Sequence, residues 1–270
     1  MSDLPPRHLT APWVLRFVQD RHHRGGVHLD AESAWEFQVL GGLVERVRRA
    51  AKAYLLLEKN GFAAEGRVIV RSALEHAVTA QWAYLTVGGI DRLEVSLLAK
   101  RHEYARSSRP GDDDWDTLLD NLEQRIPRHP DDPMRRATAL PKFTGKGGML
   151  ADLDTTGYLT RAFVVLSRVN HVSDEAVTDY FIVGEDQTFF TDSPASLFDD
   201  EVFHTLATAC CLAAWLMARL EKNEHEIRAA RSQHLLWRLD TTLPSHADGS
   251  PRRRSNPAVL VSDARFTVSA

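Results

Sequence analysis

AESAWEFQVLGGLVERVRRAAKAYLLLEKNGFAAEGRVIVRSALEHAVTAQWAYLTV, running from Ala31 to Val87, decides the fold. From Ala31 to Lys59 the apolar residues Trp35, Val39, Leu43, Val47, Ala50, Tyr54 and Leu57 recur every three or four positions, the period of one face of an α-helix. Asp30 reads as its N-cap and Asn60-Gly61 as its stop. At 1.5 Å per residue such a helix is about 43 Å long. Gly41-Gly42 inside it costs helix stability, so a kink or the close approach of a neighbouring helix is expected there. The second half repeats the pattern over Ala63 to Val87 through Val68, Val70, Leu74, Ala77, Val78, Trp82 and Leu85, and ends at Gly88-Gly89. Two long helices joined by a turn this short make an antiparallel helical hairpin.

Working outward, residues 1–29 contain Pro5, Pro6, Pro12 and Gly25-Gly26 and read as irregular, with Trp13 to Val18 able to form a short docking helix. Downstream, Asp91 to Ser107 and Asp113 to Ile126 read as helices, the latter with Asp112, Asp113 and Asp114 at its positive end. Pro127, Pro130, Pro133 and Pro141 forbid a continuous helix, so Arg128 to Lys146 reads as a long loop. Helical patterning returns at Met149 to Leu153 and from Thr156 to about Val172. Then the period changes. Val177 to Val183, the turn Gly184-Glu185-Asp186, and Thr188 to Thr191 are β-branched and aromatic and predict a small β-hairpin. A last long helix is expected from Asp199 to about Arg231. The expectation is an all-α protein: a bundle of five or six helices over residues 30–240 with a β-hairpin insertion, followed by a disordered tail over 241–270.

Composition narrows the function. The chain has 270 residues, 37 acidic against 33 basic, and a formal net charge of -4, so it is not a general sink for nucleic acid. Its basic groups are local: Arg46, Arg48, Arg49 and Lys52; Arg135, Arg136, Lys142 and Lys146; and Arg252 to Arg254. Each reads first as a solvated face. No bilayer-spanning run and no leader-like apolar start are apparent, which places the expected location in the cytoplasm without a membrane partner. Cys210 and Cys211 are neighbours in an apolar stretch and read as small core residues. GxGxxG, Walker A, HExxH, GxSxG and CxxC patterns are absent, and no cofactor or metal is expected.

Three constellations remain. In Arg71-Ser72-Ala73-Leu74-Glu75-His76, Arg71 and Glu75 stand at i and i+4 and can pair along one side of the helix. In so apolar a helix that pair is expected to be partly buried, either as a structural ion pair or as an active-site arginine and glutamate. In Ser167-Arg168-Val169-Asn170-His171-Val172-Ser173, Arg168 and His171 lie about 60° apart around the axis, with Asn170 beside them. They would serve as a helix C-cap, or supply the base and cation that metal-independent RNA cleavage requires. Glu201-Val202-Phe203-His204 has the ExxH spacing of carboxylate-bridged di-iron bundles, but lacks the second ExxH that such a centre needs. The candidate catalytic residues are therefore His171, Arg168, Asn170, Arg71 and Glu75.

The run Ala53-Tyr54-x-Leu56-Leu57, Asn60-Gly61, Arg71-Ser72-x-Leu74-Glu75, then Tyr158 and Leu166-Ser167-x-x-x-His171 resembles the bacterial domain of unknown function 5677 family over about Glu45 to Tyr180. The resemblance implies a bundle in which the Arg-Ser-x-Leu-Glu helix meets the Ser-x-x-x-His helix, and implies no activity. More remotely the chain is similar to the HEPN helical ribonucleases of bacterial conflict systems, whose signature is an Arg and a His four to six residues apart, a spacing that Arg71 and His76 match. What that implies is a defence or stress protein acting on RNA as a metal-independent endoribonuclease. The alternative is a non-catalytic module that dimerises through its long helices and holds Arg71, Glu75 and His171 as a buried polar network.

Overall fold

The computed structural model describes residues 7–19, 34–86, 88–108, 139–154, 156–169, 178–183, 187–191 and 199–236, with scattered positions between 117 and 136. Over these it is an all-α bundle. The described helices are α1 (Arg7–Gln19), α2 (Ala34–Lys59), α3 (Ala63–Leu85), α4 (Gly89–Ser108), α5 (Met149–Leu153), α6 (Tyr158–Val169), α7 (Asp199–Leu220) and α8 (Glu224–Leu236). The strands are β1 (Arg128–His129), β2 (Asp132–Arg136), β3 (Phe181–Val183) and β4 (Thr188–Phe190), in two separate antiparallel pairs.

The α2–α3 hairpin forms as its sequence dictates. The Asn60 side chain donates to the Leu56 carbonyl at 2.7 Å and the Phe62 amide to Leu57 at 2.9 Å, while Gly61 takes φ 86°, the left-handed conformation that glycine adopts most cheaply. The two helices touch most closely at Gly66. A Cβ there would sit 2.8 Å from Tyr54 Cδ2, so only hydrogen leaves room for the Tyr54 ring. The close approach expected at Gly41-Gly42 is not where it falls: a Cβ at Gly41 would make ordinary contacts at 3.9 Å, and at Gly42 it would meet nothing.

The middle of the bundle is α7, buried at every position from Val202 to Ala213. It packs against α1, α2, α3, α6 and α8. Arg67 meets Asp199 and Tyr84 meets Trp215 in the same order along both helices, so α3 and α7 run parallel. By length and composition α7 could cross a bilayer, which corrects the expectation that no stretch approaches that length; 83% of its most apolar window is buried inside the protein. Cys210 and Cys211 are buried and free within it.

Several boundaries differ from the sequence expectation. The amino-terminal segment is not merely irregular: α1 carries Pro12 within it, buries Val14 completely and docks on α7 and α2. The last helix is two helices, because Lys222 adopts φ 52° and the Asn223 side chain accepts the Glu226 amide at 3.2 Å, capping α8. Part of the expected proline-bearing loop is instead the β1–β2 pair, which contains Arg135 and Arg136, with an irregular register between Arg128 and His129. The predicted hairpin stands as β3–β4, pairing Phe181 with Phe190, Ile182 with Phe189 and Val183 with Thr188. The expected disordered tail lies outside the described residues.

Candidate functional site

The amino-terminal half of α3 ties together the parts of the molecule that the sequence singled out. Arg67, Arg71 and Glu75 follow one another at intervals of four residues, about 40° apart each time, so they trace one stripe along the helix. The stripe rises from the interior to the surface. Arg67 is 3% exposed, whereas the Arg71 and Glu75 side chains are 27% and 40% exposed. Arg71 Nε donates to Glu75 Oε1 at 3.2 Å, and the guanidinium lies over the Phe163 ring of α6, 4.9 Å from its centre.

The Arg71–Glu75 pair is partly buried, as expected. A carboxylate exposed this far keeps much of its hydration, so the pair contributes about 0.3–0.5 kcal/mol, like other one-turn helix pairs, and not the roughly 3 kcal/mol of a sealed one. The cation–π contact with Phe163 is the more informative feature. It sets α3 against α6, the helix whose end carries Ser167 and Arg168. Ser167 donates to the Phe163 carbonyl at 2.7 Å, and Arg168 is exposed. Asn170 and His171 lie outside the described residues, so the constellation is placed only as far as Arg168.

The formal Arg71–His76 match does not assemble on one side of α3. His76 lies about 140° around the axis from Arg71. Its Nδ1 is 2.6 Å from the Ser72 carbonyl oxygen, to which it donates. The ExxH histidine is also accounted for: His204 is 4% exposed, edge-on to the Tyr158 ring at 5.2 Å, and burial pushes its pKa down to about 4. Among the described residues no group of three His, Cys, Asp or Glu side chains could hold a metal ion.

The sequence reading missed Arg67. Its guanidinium reaches Asp179, just before β3, at 2.5 Å and Asp199, in the first turn of α7, at 3.3 Å. Two residues earlier, Glu65 Oε1 accepts the Tyr180 hydroxyl at 2.8 Å, a bond that raises the phenol pKa. Two adjacent bonds thus clamp the root of the β3–β4 hairpin to α3. The one signal available was an arginine directly after Gly66; its partners are more than 100 positions away.

Beyond that clamp the hairpin is bare. Ile182 is 57% exposed, Phe189 54% and Phe190 81%, with Val68 of α3 at 54% and Val164 of α6 at 46%. Because Ile182 pairs with Phe189 on one side of the ribbon and Phe181 with Phe190 on the other, both sides present apolar surface to water. Comparison of the chain with protein-family models, with curated proteins and with solved structures finds no match.

Proposed function

We propose that this chain is a HEPN-like helical protein of a bacterial defence or stress system that works by association, with the β3–β4 hairpin as the contact between two copies. The observation that carries the reading is the exposed hairpin. A lone two-stranded ribbon is at best marginally stable in water, and open strand edges with exposed aromatic residues favour pairing with another chain. The same short strand presented by a second copy across a twofold axis is antiparallel and self-complementary, so two hairpins would make a four-stranded sheet. The setting in bacterial defence, and the cytoplasmic location, rest on the resemblance alone.

The full-length chain should sediment as a dimer, and the double variant Phe189→Ser, Phe190→Asp should be monomeric with unchanged helical circular dichroism. A wild-type chain that stays monomeric at every concentration tested would refute the association.

A second reading, the metal-independent endoribonuclease, is favoured by one specific contact. Arg71 lying on Phe163 brings the Arg-Ser-x-Leu-Glu helix against the helix that leads to His171. In this reading His171 is the general base for the 2′-hydroxyl, because imidazole is the side chain that exchanges protons most readily near neutral pH. Arg168 stabilises charge on the phosphorane, Asn170 orients, and the Arg71–Glu75 pair holds the adjoining wall. Cleavage of RNA by purified protein should survive chelator, vanish in His171→Ala and weaken in Arg168→Ala. Wild-type activity in His171→Ala would dispose of this reading and leave the association intact.

A further inference from the structure

Arginine pairing in this protein is uneven. Arg7, Arg16, Arg48, Arg67 and Arg71 each meet a carboxylate: Glu58, Glu226, Glu45, Asp179 with Asp199, and Glu75. Arg46, Arg49 and Lys52 on α2, with Lys100 and Arg101 on α4, are all exposed, and none has a side-chain ion pair or hydrogen bond among the described residues. The neighbouring acids Glu45 and Glu75 are already committed to Arg48 and Arg71. Glu103 adds one exposed acid on α4 against these five cations.

Helix topology brings the two groups together. Arg46 and His76 each stand 15 residues from the Gly61 turn between α2 and α3, and His76 and Lys100 each stand 12 residues from Gly88, the turn between α3 and α4. Both helix pairs double back on themselves, so the three residues lie at one height along the bundle. His76 reports their proximity: burial lowers its pKa, opposed by the hydrogen bond to Ser72, and the charges of Arg46 and Lys100 push it the same way as burial. One turn beyond Lys100, Tyr104 is 70% exposed. Arg49 lies three residues on from Arg46, about 4.5 Å along α2 and 60° around it, whereas Lys52 lies 120° around from Arg46, one turn beyond Arg48, on the flank towards α1.

We propose that the α2–α3–α4 face around His76 binds the backbone of a single-stranded nucleic acid, with Arg46, Arg49, Lys100 and Arg101 meeting phosphates and Tyr104 offering a ring for a base to stack on. In a molecule of net charge -4, four cations beside the single exposed acid Glu103 leave a local positive field, and phosphate neutralises it with release of condensed counterions. An exposed ring beside the cations suits unpaired bases, whose faces are available for stacking, better than a duplex. The surface is separate from the β3–β4 hairpin, so the proposal stands whether or not the chain dimerises.

The test uses the full-length chain and a fluorescently labelled single-stranded 15-mer RNA, read by anisotropy at several salt concentrations, beside a blunt duplex and phosphatidylserine vesicles. Binding to the single strand should weaken with salt with a log–log slope of about -3, as for some four phosphates neutralised at ~0.7 each. The triple variant Arg46→Glu, Arg49→Glu, Lys100→Glu should lose at least about tenfold in affinity with an unchanged thermal midpoint, while Arg228→Glu on α8 binds as wild type. Tyr104→Ala should weaken binding without changing the salt slope. No binding, an unaffected triple variant, or capture by vesicles with none by the oligonucleotide would overturn the proposal. The hairpin variant Phe189→Ser, Phe190→Asp should retain the single-strand binding, and loss there would equally count against an independent face.

Discussion

Asp179→Ala should destabilise the protein by about 3 kcal/mol, while Arg67→Met at the other end of the same bond should cost far less. The asymmetry follows from burial. Arg67 is 3% exposed, and its Nε already lacks a hydrogen-bond partner. Removing Asp179 leaves that guanidinium with Asp199 alone, at 3.3 Å, in surroundings that do not solvate it. Removing the arginine instead frees two carboxylates that can regain water, since Asp179 is 15% and Asp199 36% exposed, and methionine fills most of the vacated volume. Urea denaturation of the two variants decides the matter. Equal losses would mean that the pair itself, and not the stranded charge, is what stabilises. Because Asp179 precedes β3, its loss should also loosen the hairpin root, leaving Tyr180–Glu65 as the remaining clamp.

The second large effect is expected at Trp82. It is 2% exposed, its indole nitrogen donates to Asp152 of α5 at 2.8 Å, and Arg92 of α4 lies over its ring at 5.0 Å. One side chain therefore joins α3, α4 and α5. Trp82→Ala should cost roughly 4 kcal/mol through the cavity, whereas Trp82→Phe keeps most of the packing and should lose about 1–2 kcal/mol with the indole hydrogen bond. Thermal or urea melts of both variants provide the check, and a Phe variant as damaging as Ala would show that the hydrogen bond outweighs the packing.

Much of the fold was legible because it rests on local rules. Apolar spacing gives α2 and α3, the Asn60-Gly61 turn forces them antiparallel, and β-branched and aromatic residues after Val177 mark the hairpin. Where long-range contacts decide, the sequence said less. Nothing local distinguishes Arg67, which is sealed by acids 112 and 132 positions away, from Arg71, which is half open four residues later. That Arg71–Glu75 is partly buried could be read, but how far could not: periodicity tells which residues share a side of a helix, not how far a neighbour covers it. The break between α7 and α8 turned on the φ of one lysine, which composition does not forecast. Of the candidate site, the structure gives the contact of α3 with α6 through Arg71 and Phe163, and the geometry at Asn170 and His171 lies beyond the described residues.

The placement of α7 bears on how this molecule can move. A helix enclosed by α1, α2, α3, α6 and α8 has no free side along which to slide, and any ratchet past a neighbour would have to unpack several interlocked surfaces at once. It therefore behaves as an axle. Any rearrangement is confined to what is hung on that axle, the hairpin clamped to α3 and the outer surfaces of α2 and α4, so a displacement on one flank reaches the other only as a tilt of whole helices about a fixed centre.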